Sequence, residues 1–200
     1  MNTPQAHLVD DDEAIRDALS WLLKSRGIPS TTYASAEDFL AAWTPQLSGC
    51  VVLDMRMTGM TGLDCFERLQ EKNSRLPVIF LTGHGDVPLA VATLKRGAFD
   101  FFEKPFNDND LATRVSEAMA LESAQRASIA SEDSVNRRLE SLTNRERQIM
   151  DLVLAGKLNK IIADELNISM RTVEVHRANL FDKMQIKTAV ELANLLKPKR

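Results

Sequence analysis

Residues 51–64, VVLDMRMTGMTGLD, run three apolar side chains straight into a carboxylate, Asp54, and follow it with a loop of Gly, Met and Thr. A strand with one wet face would alternate apolar and polar residues, whereas an unbroken apolar run marks a strand covered on both faces. Related segments stand on either side. AHLV (6–9), the weaker STTYA (30–34), CVVL (50–53), PVIFLT (77–82) and AFDFFE (98–103) read as strands. Between and after them, residues 13–28, 35–43, 62–72, 86–97 and 109–124 carry apolar side chains at helical spacing. Gly27 is a natural stop for the first helix, and Ser35 with Asp38 has the spacing of a capping box for the second. Five strands alternating with five helices predict an α/β unit, a (βα)5 parallel sheet with helices on both faces.

In such a sheet, ligands gather outside the carboxyl ends of the strands. The first strand ends in Asp10, Asp11 and Asp12, the third in Asp54, the fourth in Thr82, and the fifth in Glu103 and Lys104. One of the acids before residue 13 is expected to cap the first helix. Several carboxylates at one edge repel unless a cation neutralises them, and a small hard divalent ion such as Mg²⁺ suits oxygen ligands. Asp54 then reads as a nucleophile held on a rigid strand beside a metal. Taken singly, each of these residues has an ordinary structural use as a cap, a strand-end hydroxyl or a solvated cation. Their joint placement points to a site.

Composition bounds the alternatives. The chain has 200 residues, 26% charged and 44% hydrophobic, a length comfortable for two small domains. No apolar run approaches the ~20 residues of a bilayer span, and the N-terminus lacks the pattern of an export signal. Cys50 and Cys65 have no metal-ligand spacing, so reduced structural thiols and a cytoplasmic location are expected. Residues 1–122 hold 18 acidic and 11 basic side chains, whereas residues 123–200 hold 10 and 14. An acidic first part and a basic second part suggest different partners, with nucleic acid a candidate for the second.

Residues 5–122 resemble the receiver domain of two-component response regulators through LVDDDEAIR, VVLDMRMTGMTGLD, FLTGHGD and FFEKPF, in order. The run LTGHGDVPLAVATLKRGAFDFFEKPF is similar to the FixJ branch of that family. The resemblance implies that Asp54 is phosphorylated by a sensor histidine kinase. It implies that Asp10, Asp11, Asp54 and the carbonyl of Arg56 hold Mg²⁺, that Lys104 pairs with the phosphoryl group, and that Thr82 donates its hydroxyl to it. Phe101 falls at an aromatic switch position, and the Lys104–Pro105 bond is expected to be cis. Thr58 departs from the family, which commonly has Pro there.

The expected boundaries are a receiver over 1–122, a partly helical linker over 123–138 that loosens along its length, and a DNA-binding module over 139–200. In the last, Thr143 with Glu146 predicts a capped helix ending near Gly156, followed by helices at 159–166, 170–184 and 189–196, the last capped by Thr188 and Glu191. A tight NIS turn between the middle two, with Ser169 as N-cap, predicts a helix-turn-helix whose second helix enters the major groove. That helix carries Arg171, Glu174, His176, Arg177, Asn179 and Lys183 on polar positions, and Val173, Leu180 and Met184 on a core face. His176 can serve as a phosphate contact or as a packed side chain. The region resembles the LuxR-type module, which implies base-edge contacts at Glu174, Val175 and Ala178. Phosphate contacts are implied at Asn159, Lys160, Thr172, Arg177 and Lys183. Glu174 can accept from a cytosine amino group.

These readings lead to a transcriptional regulator, not an enzyme, that forms a homodimer on phosphorylation and binds a roughly palindromic double-stranded operator, with no membrane partner. A phosphatase of the haloacid-dehalogenase kind wants a second acid two residues after its nucleophile, where this chain has Arg56. The alternative is a DNA-binding regulator whose receiver acts as a phosphorylation-independent interaction module.

Overall fold

The computed structural model describes residues 3–83 and 87–197; residues 84–86, expected in the loop after Thr82 and at the start of the fourth helix, lie outside them. The chain divides into two compact units, Met1–Ala127 and Ser128–Arg200.

The first unit is an α/β sandwich. Its strands are β1 (Gln5–Val9), β2 (Ser30–Tyr33), β3 (Gly49–Asp54), β4 (Val78–Thr82) and β5 (Asp100–Glu103). Its helices are α1 (Glu13–Ser25), α2 (Ala36–Ala42), α3 (Gly62–Glu71), α4 (Val87–Lys95) and the first part of α5 (Asp108–Glu140). All pairings are parallel, in the order β2-β1-β3-β4-β5. The chain runs outward from β1 to β2, then returns to lay β3 on the other side of β1. The crevice at the carboxyl ends of β1 and β3 is therefore the switch point at which such sheets bind ligands.

Both faces of the sheet are covered, which accounts for the unbroken apolar strands. Val9, Val51, Leu53 and Phe80 pack with Phe39, Phe66 and Leu69 of α2 and α3. The alternate residues Leu8, Val52, Ile79 and Leu81 pack with Leu19 and Leu23 of α1 and with Leu111 and Val115 of α5. Cys50 and Cys65 are free and buried, and burial pushes both thiols up to about 12. Asp12 caps α1 by accepting the N–H groups of Ala14 and Ile15. Ser35 caps α2 through the Asp38 N–H alone, without the reciprocal bond that closes the box at Thr61 and Asp64 on α3.

His7 is a fully buried polar residue of the first core, ringed by Tyr33 and Phe39. Its Nε2 lies 3.3 Å from the Ser48 carbonyl, which can only accept, so Nε2 carries the proton. Burial lowers the imidazole pKa below its usual value. The unfolded chain then binds the proton more tightly than the native one, so stability falls as pH drops below about 6.5, by up to ~1.4 kcal/mol per pH unit. Thermal melts through this range are expected to show a decline that His7→Phe flattens. The Ser48 carbonyl also accepts the Gln5 N–H at 3.2 Å, a partner that the substitution does not remove.

The linker reading needs correction. Where a loosening segment is expected after residue 124, α5 continues unbroken to Glu140. Residues 108–140 contain neither Gly nor Pro and are rich in Ala, Glu and Arg, so nothing in the backbone interrupts the helix.

The second unit packs the end of α5 with α6 (Asn144–Leu154), α7 (Asn159–Leu166), α8 (Met170–Met184) and α9 (Ala189–Leu195). Ile149, Val153, Ile162, Val173, Leu180, Met184 and Leu192 form its core. The turn between α7 and α8 is set by Asn167, in the left-handed conformation at φ 51°, and by Ser169, whose hydroxyl accepts the Thr172 N–H. Asparagine tolerates that conformation because its short polar side chain bonds locally. Thr143 and Glu146 form the expected capping box on α6. At α9, Thr188 caps through the Glu191 N–H, while the Glu191 carboxylate accepts from Lys187 one residue before the cap.

Candidate functional site

The sheet register sets the carboxylate edge. Asp54, the last residue of β3, stands opposite Leu81 of β4, one residue before Thr82, while Asp10 follows the last residue of β1. Asp10 and Asp54 are both buried. Lys104, which follows β5, reaches back between them: its ammonium donates to Asp54 Oδ1 at 2.6 Å and to Asp10 Oδ2 at 3.0 Å. The Lys104 N–H donates to the Thr82 carbonyl at 2.8 Å, and the bond to Pro105 is cis. Asp54 Oδ2 accepts the Arg56 N–H at 2.8 Å, and Asp10 Oδ1 accepts the Asp12 N–H at 2.9 Å. Gly62 is required beside this edge, since a Cβ there would lie 2.1 Å from the Asp54 carbonyl oxygen.

The electrostatics are uneven. Burial raises the Asp54 pKa, and the neighbouring Asp10 charge adds to the rise, against the opposing pull of Lys104 and the Arg56 N–H. Burial works to lower the Lys104 pKa, but the two carboxylates outweigh it and raise the ammonium above its usual value. One ammonium thus faces two carboxylates, and a third, Asp11, stands close by on the same β1–α1 turn.

Asp11 is exposed and turned to the β3–α3 loop. Its Oδ2 accepts both the N–H and the hydroxyl of Thr58, at 2.8 and 3.0 Å. Those bonds, the backbone one first, hold its carboxyl below the usual range. Thr82 is fully buried, and its hydroxyl donates to the Gly83 carbonyl at 3.4 Å. Phe101 is half-buried against the first core.

The donor set suits a hard cation. Three carboxylates and backbone carbonyls are the oxygen ligands that Mg²⁺ prefers, and three negative charges against one ammonium leave an excess of two. In this arrangement, among the described residues, no group of three His, Cys, Asp or Glu side chains converges as a metal would require.

In the second unit, α8 presents Arg171, Glu174, Val175, Ala178 and Asn179 to solvent, with Val175 54% exposed. Val173, Leu180 and Met184 are buried, as their spacing predicts. Lys160 is exposed, while Asn159, Thr172, His176 and Arg177 are half-buried. Arg177 donates to Asn159 Oδ1 at 2.7 Å and stacks over Phe181, so α7 and α8 present those two side chains as a pair.

Lys183, expected at a phosphate, is engaged within the second unit. Its ammonium donates to the buried Glu146 carboxylate at 2.7 Å and to the Ser141 carbonyl at 3.2 Å. Burial alone would raise the Glu146 pKa, yet the bonds from Lys183 and Thr143 hold it low. The physical reason is that Glu146, drawn inward by its capping box, needs a cation, and α8 supplies one. Residues 146 and 183 are 37 apart in sequence, so no local signal reveals the pairing.

Comparison with known proteins places these features in families. Residues 6–116 match the response regulator receiver domain, and residues 140–196 match the bacterial regulatory proteins of the luxR family. The chain is 47% identical over 191 residues to the C4-dicarboxylate transport transcriptional regulatory protein DctR of Rhodobacter capsulatus, covering 94% of this chain and 97% of that one. It is 43% identical over 189 residues to the transcriptional regulatory protein FixJ of Bradyrhizobium diazoefficiens, covering 94% and 92%. Among solved structures, the response regulator StyR matches with a TM-score of 0.91 at 37% identity, covering 98% of each chain. Full-length FixJ from B. japonicum matches with a TM-score of 0.60 at 43% identity, covering 98% and 96%.

Proposed function

The chain belongs to the two-component response regulators that join a receiver to a LuxR-type DNA-binding domain, and from this premise we propose that phosphorylation of Asp54 by a sensor histidine kinase controls operator binding in the cytoplasm. The observation that carries the proposal is the buried Asp54 carboxylate at the switch point, crowded by Asp10 and held by Lys104 at 2.6 Å. A strand-borne carboxylate cannot swing away, and the ammonium beside it counters the charge that a phosphoryl group brings.

In the proposed reaction, an Asp54 oxygen forms a bond to phosphorus as the bond from phosphorus to the donor's histidine nitrogen breaks. Asp10, Asp11, Asp54 and the Arg56 carbonyl would hold Mg²⁺. When bound, that ion neutralises phosphoryl oxygens. Lys104 exchanges its carboxylate partner for a phosphoryl oxygen, and the Thr82 hydroxyl leaves the Gly83 carbonyl to donate to another. Phe101, half-buried beside them, packs further inward, and the altered face around β5 pairs with its copy. The functional boundaries follow as receiver 1–122, linker 123–138 and DNA-binding module 139–200. A homodimer would read a double-stranded operator of two half-sites through Arg171, Glu174, Val175 and Ala178, with Asn159, Lys160, Thr172, His176 and Arg177 along the backbone.

Acetyl phosphate with Mg²⁺ tests the proposal. Label is expected on Asp54, with a rise in mass by light scattering and tighter operator binding. An unlabelled chain that still controls its operator would favour the phosphorylation-independent reading.

The DNA surface gives a separate prediction. Lys160→Ala is expected to weaken binding uniformly and reduce the salt slope of log K by about one. Lys183→Ala should leave that slope unchanged and instead lower the melting temperature of the second unit, because its charge is committed to Glu146. Binding measured between low and moderate salt, beside thermal melts, checks both.

A further inference from the structure

We propose that Arg16 is a positioning residue for the phosphoryl transfer: its guanidinium clamps the turn that carries Asp10 and so holds Asp10 in place beside Asp54 and Lys104. The inference rests on the phosphoacceptor reading above and adds to it a residue outside the acidic edge.

Every polar atom of Asp10 has a partner. Its N–H donates to the Tyr33 carbonyl at 3.3 Å, Oδ1 accepts the Asp12 N–H at 2.9 Å, and Oδ2 accepts from Lys104 at 3.0 Å. The Asp10 carbonyl accepts Arg16 Nη1 at 2.7 Å. Two of these bonds are made by backbone and one by the ammonium already at the site. The fourth comes from a half-buried side chain on the first turn of α1. Arg16 is itself fixed, because its N–H donates to the Asp12 carbonyl at 3.1 Å while Asp12 caps the helix. Main chain and side chain of one residue thus grip both ends of the turn, Asp12 and Asp10.

The grip bears on the chemistry because the bonded carbonyl belongs to the peptide between Asp10 and Asp11. Pinning that peptide opposes rotation about the ψ of Asp10 and keeps the Asp12 N–H aimed at Asp10 Oδ1. A charged donor makes the strong kind of hydrogen bond. In the proposed reaction Lys104 gives up a carboxylate partner, whereas Arg16 takes no part in that exchange and keeps its hold on the turn. Without it the Asp10 carboxylate is free to shift beside the nucleophile, and a misplacement of about 1 Å can cost ~100-fold in rate.

Full-length protein carrying Arg16→Met, which keeps the aliphatic stem and a good helix former, tests the role. Labelling by acetyl phosphate at saturating MgCl2 is expected to slow about ten-fold, the scale of one hydrogen bond from a charged group. Thermal melts should show the fold retained, and the Asp10 carbonyl 13C resonance should move upfield as it loses the guanidinium. Arg16→Lys offers a single cationic donor and should return both the resonance and most of the rate. Labelling of Arg16→Met at the wild-type rate overturns the role and leaves the phosphoacceptor reading intact. So does a rate that falls or recovers across the two variants without the Asp10 resonance following it. A wild type that takes no label overturns both.

Discussion

Asp54→Asn is expected to take phosphoryl incorporation from about one group per chain to below detection, because the amide removes the nucleophilic oxygen on which covalent transfer depends. Response of the operator to the kinase should vanish with it. The same variant is expected to be more stable than the wild type. A carboxyl whose folded pKa is raised binds its proton more tightly in the native state than in the unfolded one. Stability conferred by that proton is present at low pH and is lost as pH rises through the folded pKa, so at neutral pH the charged Asp54 works against the fold. Burial and the Asp10 charge are the causes. Asparagine removes the charge, leaves Asp10 to Lys104 alone, and keeps an oxygen for the Arg56 N–H. Radiolabelling with acetyl phosphate and a thermal melt read the two effects. Loss of labelling with a lower melting temperature would refute the electrostatic account while sparing the chemical one.

Glu122→Ala is expected to destabilise the first unit by about 3 kcal/mol, the scale of leaving two buried donors, the Ser48 hydroxyl and the Gly49 N–H, without their acceptor. Glu122 is 1% exposed, on α5, at the edge of the sheet opposite Asp54. One oxygen accepts the Ser48 hydroxyl at 2.9 Å and the Gly49 N–H at 3.3 Å, and the other accepts from Arg126 at 2.6 Å. Arg126 in turn donates to the Leu47 carbonyl at 2.5 Å. Truncation strands the buried Ser48 hydroxyl and the Gly49 N–H, and leaves the guanidinium without its carboxylate. A fall in melting temperature of roughly 10 °C is the expected scale for a unit of this size. Glu122→Gln keeps an acceptor for Ser48 and Gly49 and should lose less. An alanine variant that melts with the wild type would show that water replaces the carboxylate without loss.

Much of this protein is legible in the chain because the signals are short-ranged. Residues 51–53 are apolar without alternation because both faces of β3 are covered, and that pattern needs no knowledge of the partners. The bounds of α7 and α8 follow from side chains within three residues of their ends, Asn167 and Ser169. Asp10, Asp54 and Lys104 could be drawn to one edge because parallel strands joined by helices all end on the same side.

The pairings that run across the fold were hidden for the opposite reason. Nothing local to Glu122 marks it as core, and only its approach to Ser48, 74 positions away, makes it so. Lys183 reads as a free cation on the recognition helix until Glu146 turns inward and claims it. Thr58 is visible as a departure from its family's pattern, but its grip on Asp11, 47 residues distant, is not. Periodicity, capping and strand-end chemistry by themselves determined two units, a carboxylate edge and a helix-turn-helix. The tertiary structure alone decided which charges are spoken for, because an ion pair or hydrogen bond across the fold depends on positions set by packing, which local sequence does not encode.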